Sequence, residues 1–220
     1  MIATLLSLVL LAYGDVIVQQ HVTVTPPASP TVRIETTNGS IGLRTGGSVV
    51  DVTATKKADS QLKVDALKVT QSVSGSLVTI KAVLPQACSD CGSVSFDVTI
   101  PAGAKVQLIA TNGSITADGL SAAAVLQSTN GSLKAAFSKT PASGSIAMQS
   151  TNGSVSLVLP SVSNVGRVSA KTMVGKISSN VNLSINGSNF VGSSVDQTLN
   201  PGGIALDLST TNGSISIRKN

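Results

Sequence analysis

Apolar residues along this chain fall on alternate positions, and the alternation changes phase at one recurring tetrapeptide. Val32 and Ile34 precede Asn38, and Ile41 and Leu43 follow it. Val106 and Leu108 lead to Asn112, with Ile115 and Ala117 beyond. Leu126 comes before Asn130, then Leu133, Ala135 and Phe137. Ile146 and Met148 precede Asn152, followed by Val155, Leu157 and Leu159, and Leu206 and Leu208 precede Asn212, followed by Ile215 and Ile217. Each apolar position is even-numbered ahead of the Asn and odd-numbered behind it. A period of two marks a half-buried β-strand. A slip of one residue turns every later side chain to the other face, so the chain must turn at each Asn-Gly.

The turning element is "TNGS", written at 37–40, 111–114, 129–132, 151–154 and 211–214, with a variant "INGS" at 185–188. Asn and Gly both accept positive φ, which marks Asn38-Gly39, Asn112-Gly113, Asn130-Gly131, Asn152-Gly153 and Asn212-Gly213 as structural turns. On that ground Val at Gly113 or Gly153 is expected to destabilise the fold. Two geometries fit: a type I′ hairpin, which would pair Ile34 with Leu43 and Met148 with Leu157, or the corner of a β-solenoid. Successive motif asparagines are 74, 18, 22, 34 and 26 residues apart, several of them near the length of a small stacked repeat. Asn186 breaks the phase and predicts an irregular or terminal-facing loop.

Other segments extend the all-β reading. Val16, Val18, Val22 and Val24 alternate along 16–25, and "PPASP" at 26–30 reads as a linker. The stretch 48–85 predicts further strands with turns at 56–60 and 74–75. "VSFDVTIPAGAKVQLIA" reads as strand, Pro-Ala-Gly turn, strand. No helix is predicted.

Composition supports a folded chain with a small-residue core. Hydrophobic residues make up 41%, charged residues 11% and aromatics 2%, which is not the composition of a disordered segment. The net charge of +5 comes from scattered basic residues without aromatic partners, so nucleic acid is not expected as a partner. The opening "MIATLLSLVLLAYGD" holds an apolar run too short to span a bilayer as a helix. With Ala12 and Gly14 at −3 and −1 it reads as a signal peptide over 1–14, and otherwise as an apolar N-terminal strand. Membrane contact is expected only through this segment, if it is not cleaved. Cys88 and Cys91 form a CxxC in a turn-rich stretch. Zinc would need a second ligand pair and His21 is the only histidine, while a redox motif would need a helix behind it, so a short disulfide is expected.

The phrases "VRIETTNGSIGL", "GSVSFDVTIPAGAKVQLIATNGSITADGL" and "GGIALDLSTTNGSISI" resemble the prokaryotic adhesin-like β-strand repeat family over roughly residues 17–218. The resemblance implies a β-helix-like stack of short strands, exported or membrane-tethered, and carries over no catalytic residues. The expected architecture is therefore all-β, a β-solenoid or β-helix-like stack with Asn-Gly corners. It has a strand and Pro-rich linker at 15–30 and one repeat domain at 31–220.

Candidate chemistry is sparse. The ten acidic residues never fall within three positions of one another, and Glu35 is the only glutamate. Asp51, Asp65 and Asp97 lie on expected strands as single carboxylates, and a triad would have to use His21. Neither a cofactor nor a metal is expected. Sequons at Asn38, Asn112, Asn130, Asn152, Asn182, Asn186 and Asn212 are candidate N-glycosylation acceptors. The expected function is that of a non-enzymatic protein of the cell surface or envelope, extracellular, whose partners are surface polymers or glycans, or copies of itself. A filament subunit joined through its N-terminal strand is the alternative, and a carbohydrate-active β-helix enzyme the third reading.

Overall fold

The computed structural model describes residues 2–12, 14–85, 91–187 and 192–220. The described residues form twenty strands in two mixed ten-stranded sheets. The first half supplies β1 (Ile2–Ala12), β2 (Asp15–Val24), β3 (Thr31–Asn38), β4 (Ile41–Thr45) and β5 (Val50–Ala58). A helix α1 (Gln61–Ala66) follows, then β6 (Lys68–Ser74), β7 (Leu77–Val83), β8 (Ser93–Ile100), β9 (Lys105–Asn112) and β10 (Ile115–Leu120). Next come β11 (Ala124–Asn130), β12 (Leu133–Phe137), β13 (Ser145–Asn152), β14 (Val155–Leu159) and β15 (Val165–Val174). The last are β16 (Ile177–Ser179), β17 (Asn186–Gly187), β18 (Ser193–Thr198), β19 (Ile204–Asn212) and β20 (Ile215–Lys219).

Sheet I runs β1-β2-β5-β8-β4-β10-β12-β14-β20-β16, and sheet II runs β6-β7-β3-β9-β11-β13-β19-β15-β18-β17. Seven levels share one strand from each sheet: β7/β8, β3/β4, β9/β10, β11/β12, β13/β14, β19/β20 and β15/β16. Within both sheets these seven are parallel to their neighbours. Antiparallel strands extend the ends: β5, β2 and β1 beyond β8, β6 beyond β7, and β18 and β17 beyond β15.

Every alternating apolar residue named on either side of the five TNGS motifs is buried, from Val32 through Ile217. The two flanks of each motif lie in different sheets, so the chain crosses at Asn-Gly and no hairpin forms. Ile34 accordingly pairs with Leu108 and Ile80 rather than Leu43. The level order departs from chain order twice. A detour over β5–β8 separates β4 from β9, and β19/β20 returns to lie between β13/β14 and β15/β16. The irregular motif spacing follows from these detours.

Three further expectations meet the structure here. β2 pairs along its length with β5, with Val16, Val18, Val22 and Val24 turned inward, and β1 pairs with β2. The predicted absence of helix is wrong at α1, a six-residue turn of helix that seats Val64 against Val16, Val18 and Ala58. It is too short to show a helical period in sequence. Asn186 sits on β17, the last strand of sheet II.

Candidate functional site

Five corners stack in register, bringing Asn38, Asn112, Asn130, Asn152 and Asn212 onto neighbouring strands. Each later Asn donates its amide N–H to the side-chain oxygen of the level before, at 2.8, 2.7, 2.8 and 2.8 Å for Asn112, Asn130, Asn152 and Asn212. Asn38 closes the row by donating to the Gly92 carbonyl at 3.4 Å. Backbone bonds run the opposite way, from Gly39 N–H to the Asn112 carbonyl at 3.1 Å and likewise up to Gly153 N–H on Asn212 at 3.0 Å. The ladder is thus satisfied from within.

The glycines of these corners are required for a reason other than the expected one. Among the five, only Gly39 has a left-handed φ, at 132°, and no described Asn does. What excludes a side chain is the level next door. A Cβ on Gly113 would lie 1.9 Å from the Gly39 carbonyl oxygen, and one on Gly153 2.2 Å from that of Gly131. The corner carbonyls also receive buried hydroxyls. Ser128 donates to Gly113, Ser150 to Gly131, Thr210 to Gly153 and Thr172 to Gly213, at 2.7–2.9 Å. Sequence reading missed these residues because they are polar, although they continue the even-numbered buried phase.

Outside this ladder lie two columns of hydroxyls. On sheet II, Thr37, Thr111, Thr129 and Thr151 are exposed and Thr211 half-buried, one per level. Their hydroxyls have no hydrogen-bond partner among the described residues. Around the corner, Ser114, Ser132 and Ser154 each accept a backbone N–H from the next level at 3.2–3.4 Å, which leaves the O–H free to donate outward. A shallow groove on sheet II runs across the levels beside the threonines, lined among others by Gln127, Gln149 and Ser209. The Gln127 amide N–H donates to Gln149 at 3.4 Å. Strands in a sheet lie about 4.7–4.9 Å apart, so the face repeats its hydroxyls at that interval.

The central strands β11 and β13 carry no charged residue, while Asp207 on β19 and Lys171 on β15 are exposed toward one side of the face. On the β3–β7 side, Glu35 is held by Arg33 and by Lys81 at 3.1 Å. Burial raises the Glu35 pKa, but hydrogen bonds and charge from Lys81 and Arg33 outweigh it and hold the carboxyl below its ordinary value. On the far side Arg167 grips Asp196 with two bonds of 2.9 Å, and that contact lowers the Asp196 pKa and raises that of Arg167.

The single carboxylates are dispersed. Asp65 accepts from Gln61 on the exposed side of α1, and Asp97 pairs with Arg44 at 3.1 Å on the outer face of sheet I. His21 and Asp51 meet on that same face at 2.7 Å, both about 40% exposed, with Thr53 3.4 Å from the other imidazole nitrogen. These are solvated surface pairs on an open sheet. Cys91 is buried, while Cys88 and hence the expected disulfide lie outside the described residues. Asn182 and Asn186 stand apart from the ladder and are exposed.

The chain is similar in fold to a solved "putative cell adhesion protein" from Clostridium sporogenes. The TM-score is 0.65 at 12% identity, covering 92% of this chain and 99% of the other. The likeness is one of fold. A "putative adhesin" from Bacteroides fragilis aligns more loosely, with TM-score 0.39, 10% identity, and coverage of 92% and 97%. No protein-family model and no curated protein matches the sequence.

Proposed function

We propose that this chain is a non-catalytic protein of the cell surface that binds a neutral, repetitive polymer, a glycan in the first place, along the open face of sheet II. The observation that carries this is the column of Thr37, Thr111, Thr129, Thr151 and Thr211, whose unpaired hydroxyls recur at the inter-strand interval beside an uncharged groove. Such a face offers many weak, equivalent hydrogen bonds in a row, and affinity then grows with ligand length rather than with pocket depth. The centre of the face carries no charge, which favours a neutral polymer over a polyanion. The Clostridium sporogenes structure lends support by the adhesive role its name gives it.

The seven stacked levels read as a flattened β-solenoid. The apolar segment 1–14 reads as an export signal, and the Cys88–Cys91 disulfide belongs with an exported protein. A glycan array including long neutral oligosaccharides tests the reading. Binding that strengthens with chain length, and that is lost when Thr111, Thr129 and Thr151 are all changed to Lys without loss of folding, is the expected result. Binding untouched by that triple change would move the site elsewhere.

A further inference from the structure

Asn-Gly occurs six times in this chain, at 38–39, 112–113, 130–131, 152–153, 186–187 and 212–213. Asparagine is a thermolabile residue, and a following glycine leaves the next backbone nitrogen unshielded by any Cβ. That nitrogen, once its proton passes to water or hydroxide, attacks the asparagine Cγ and forms a new C–N bond. The side-chain nitrogen takes up a proton and leaves as ammonia. Water then opens the cyclic imide at either carbonyl, giving aspartate or isoaspartate. One water is consumed and one ammonia released, and solvent supplies every reactant. The glycine nitrogen and the side-chain amide must both be free to move for the ring to close.

At the five stacked corners these groups are engaged. Gly39, Gly113, Gly131, Gly153 and Gly213 donate their N–H to the carbonyl of the adjoining level at 2.9–3.1 Å. The side-chain amides of Asn112, Asn130, Asn152 and Asn212 donate along the ladder, and the oxygens of Asn38, Asn112, Asn130 and Asn152 accept. Asn212 faces Val174 at the ladder's end, yet it keeps its bond to Asn152, and Gly213 N–H is held by the Val174 carbonyl.

Asn186-Gly187 lies outside this ladder. The pair makes up β17, two residues long and last in sheet II, with β18 as its neighbour. Both residues are exposed, and the Asn186 side chain has no hydrogen-bond partner among the described residues. Strand pairing sets Asn186 opposite Ser194, and Ser194 opposite Lys171. The same row continues through Ser209 to Gln149 and Gln127, so Asn186 stands on the outer face of sheet II.

We infer that Asn186 is a site of spontaneous deamidation, the one Asn-Gly of the six that the fold leaves open. The product carries a carboxylate at the end of the row, with Lys171 the nearest cation along it, so the outer face of sheet II gains negative charge with age. Where isoaspartate forms, the main chain is longer by one carbon, and the pairing of β17 with β18 is lost. The five corner asparagines are preserved by the same stacking that holds the fold. The deamidation does not depend on the polymer-binding reading.

The test incubates the full chain in mildly alkaline buffer made with oxygen-labelled water, folded in one sample and in urea in another. Circular dichroism verifies folding throughout. Proteolysis and mass spectrometry then read the label taken up at each Asn-Gly. In urea all six should react. In the folded protein Asn186 should react, with the other five slowed at least about a hundredfold, because each must wait for its corner to open. Asn186→Gln should abolish the fast uptake and leave the other five unchanged. An Asn186 as slow as the corner asparagines overturns the inference, and so do corner asparagines that keep pace with Asn186 while the protein stays folded.

Discussion

Gly131 lies so close to the preceding level that a Cβ there would sit 2.1 Å from the Gly113 carbonyl oxygen, a backbone atom that cannot swing aside. Gly103, in the Pro-Ala-Gly turn, presents the opposite case: its φ is 81°, but a Cβ would meet nothing within 4 Å. The two sites separate close approach from backbone conformation. Gly131→Ala should cost about 3 kcal/mol because the stacked corners must part. Gly103→Ala should cost only about 1–2 kcal/mol, the penalty of a left-handed alanine. Urea denaturation of both variants checks the order, and equal losses would remove the argument from stacking. A gain is available next to the same corner. Ala110 occupies the position at which the later levels carry Ser128 and Ser150, so the Gly39 carbonyl lacks the hydroxyl its counterparts receive. Ala110→Ser supplies that donor and should raise stability by about 1 kcal/mol, read as a higher urea midpoint.

Strand pairing puts Glu35 of β3 opposite Lys81 of β7, and its side chain is only 18% exposed. Its folded pKa lies below the ordinary value, so the folded state holds that proton less tightly than the unfolded chain. Its contribution is therefore complete above the unfolded glutamate pKa and is lost as pH falls through the folded one. Between about pH 7 and about pH 3 the urea midpoint of the unaltered protein should fall more steeply than that of Glu35→Gln. Parallel curves would show that the ion pairs add nothing. The strands themselves were legible, because parity identified the buried face of β3, β4 and β9 through β14 without any partner being known. The partner of each strand was not legible, since Asn-Gly suits a hairpin and a corner alike. For the same reason the Thr of each TNGS could be seen in the sequence, but not the column those threonines form once the corners stack. The inward Thr36, Ser128, Ser150 and Thr210 were hidden by a reading that equated burial with apolarity, though each caps a backbone carbonyl.

The level order makes the molecule depend on its last strands. β15 and β16 precede β19 and β20 in the chain, yet they reach the rest of the parallel stack only across them: β19 lies between β13 and β15, and β20 between β14 and β16. The contacts that dock β19 also join residues far apart in sequence, as Asn152 and Asn212 show, and such closures are made late and slowly. A chain ending at residue 203 therefore loses more than the two strands removed. The segment 161–203 has no parallel neighbour left for β15, while β9 to β12 keep both of theirs. Hydrogen exchange on that truncated chain should show β15 amides exchanging near the unprotected rate and β9–β12 amides still protected. Protection of β15 comparable with that of β11 would mean that β15 can dock directly on β13. The insertion of the chain's end between earlier levels would then be dispensable to the fold.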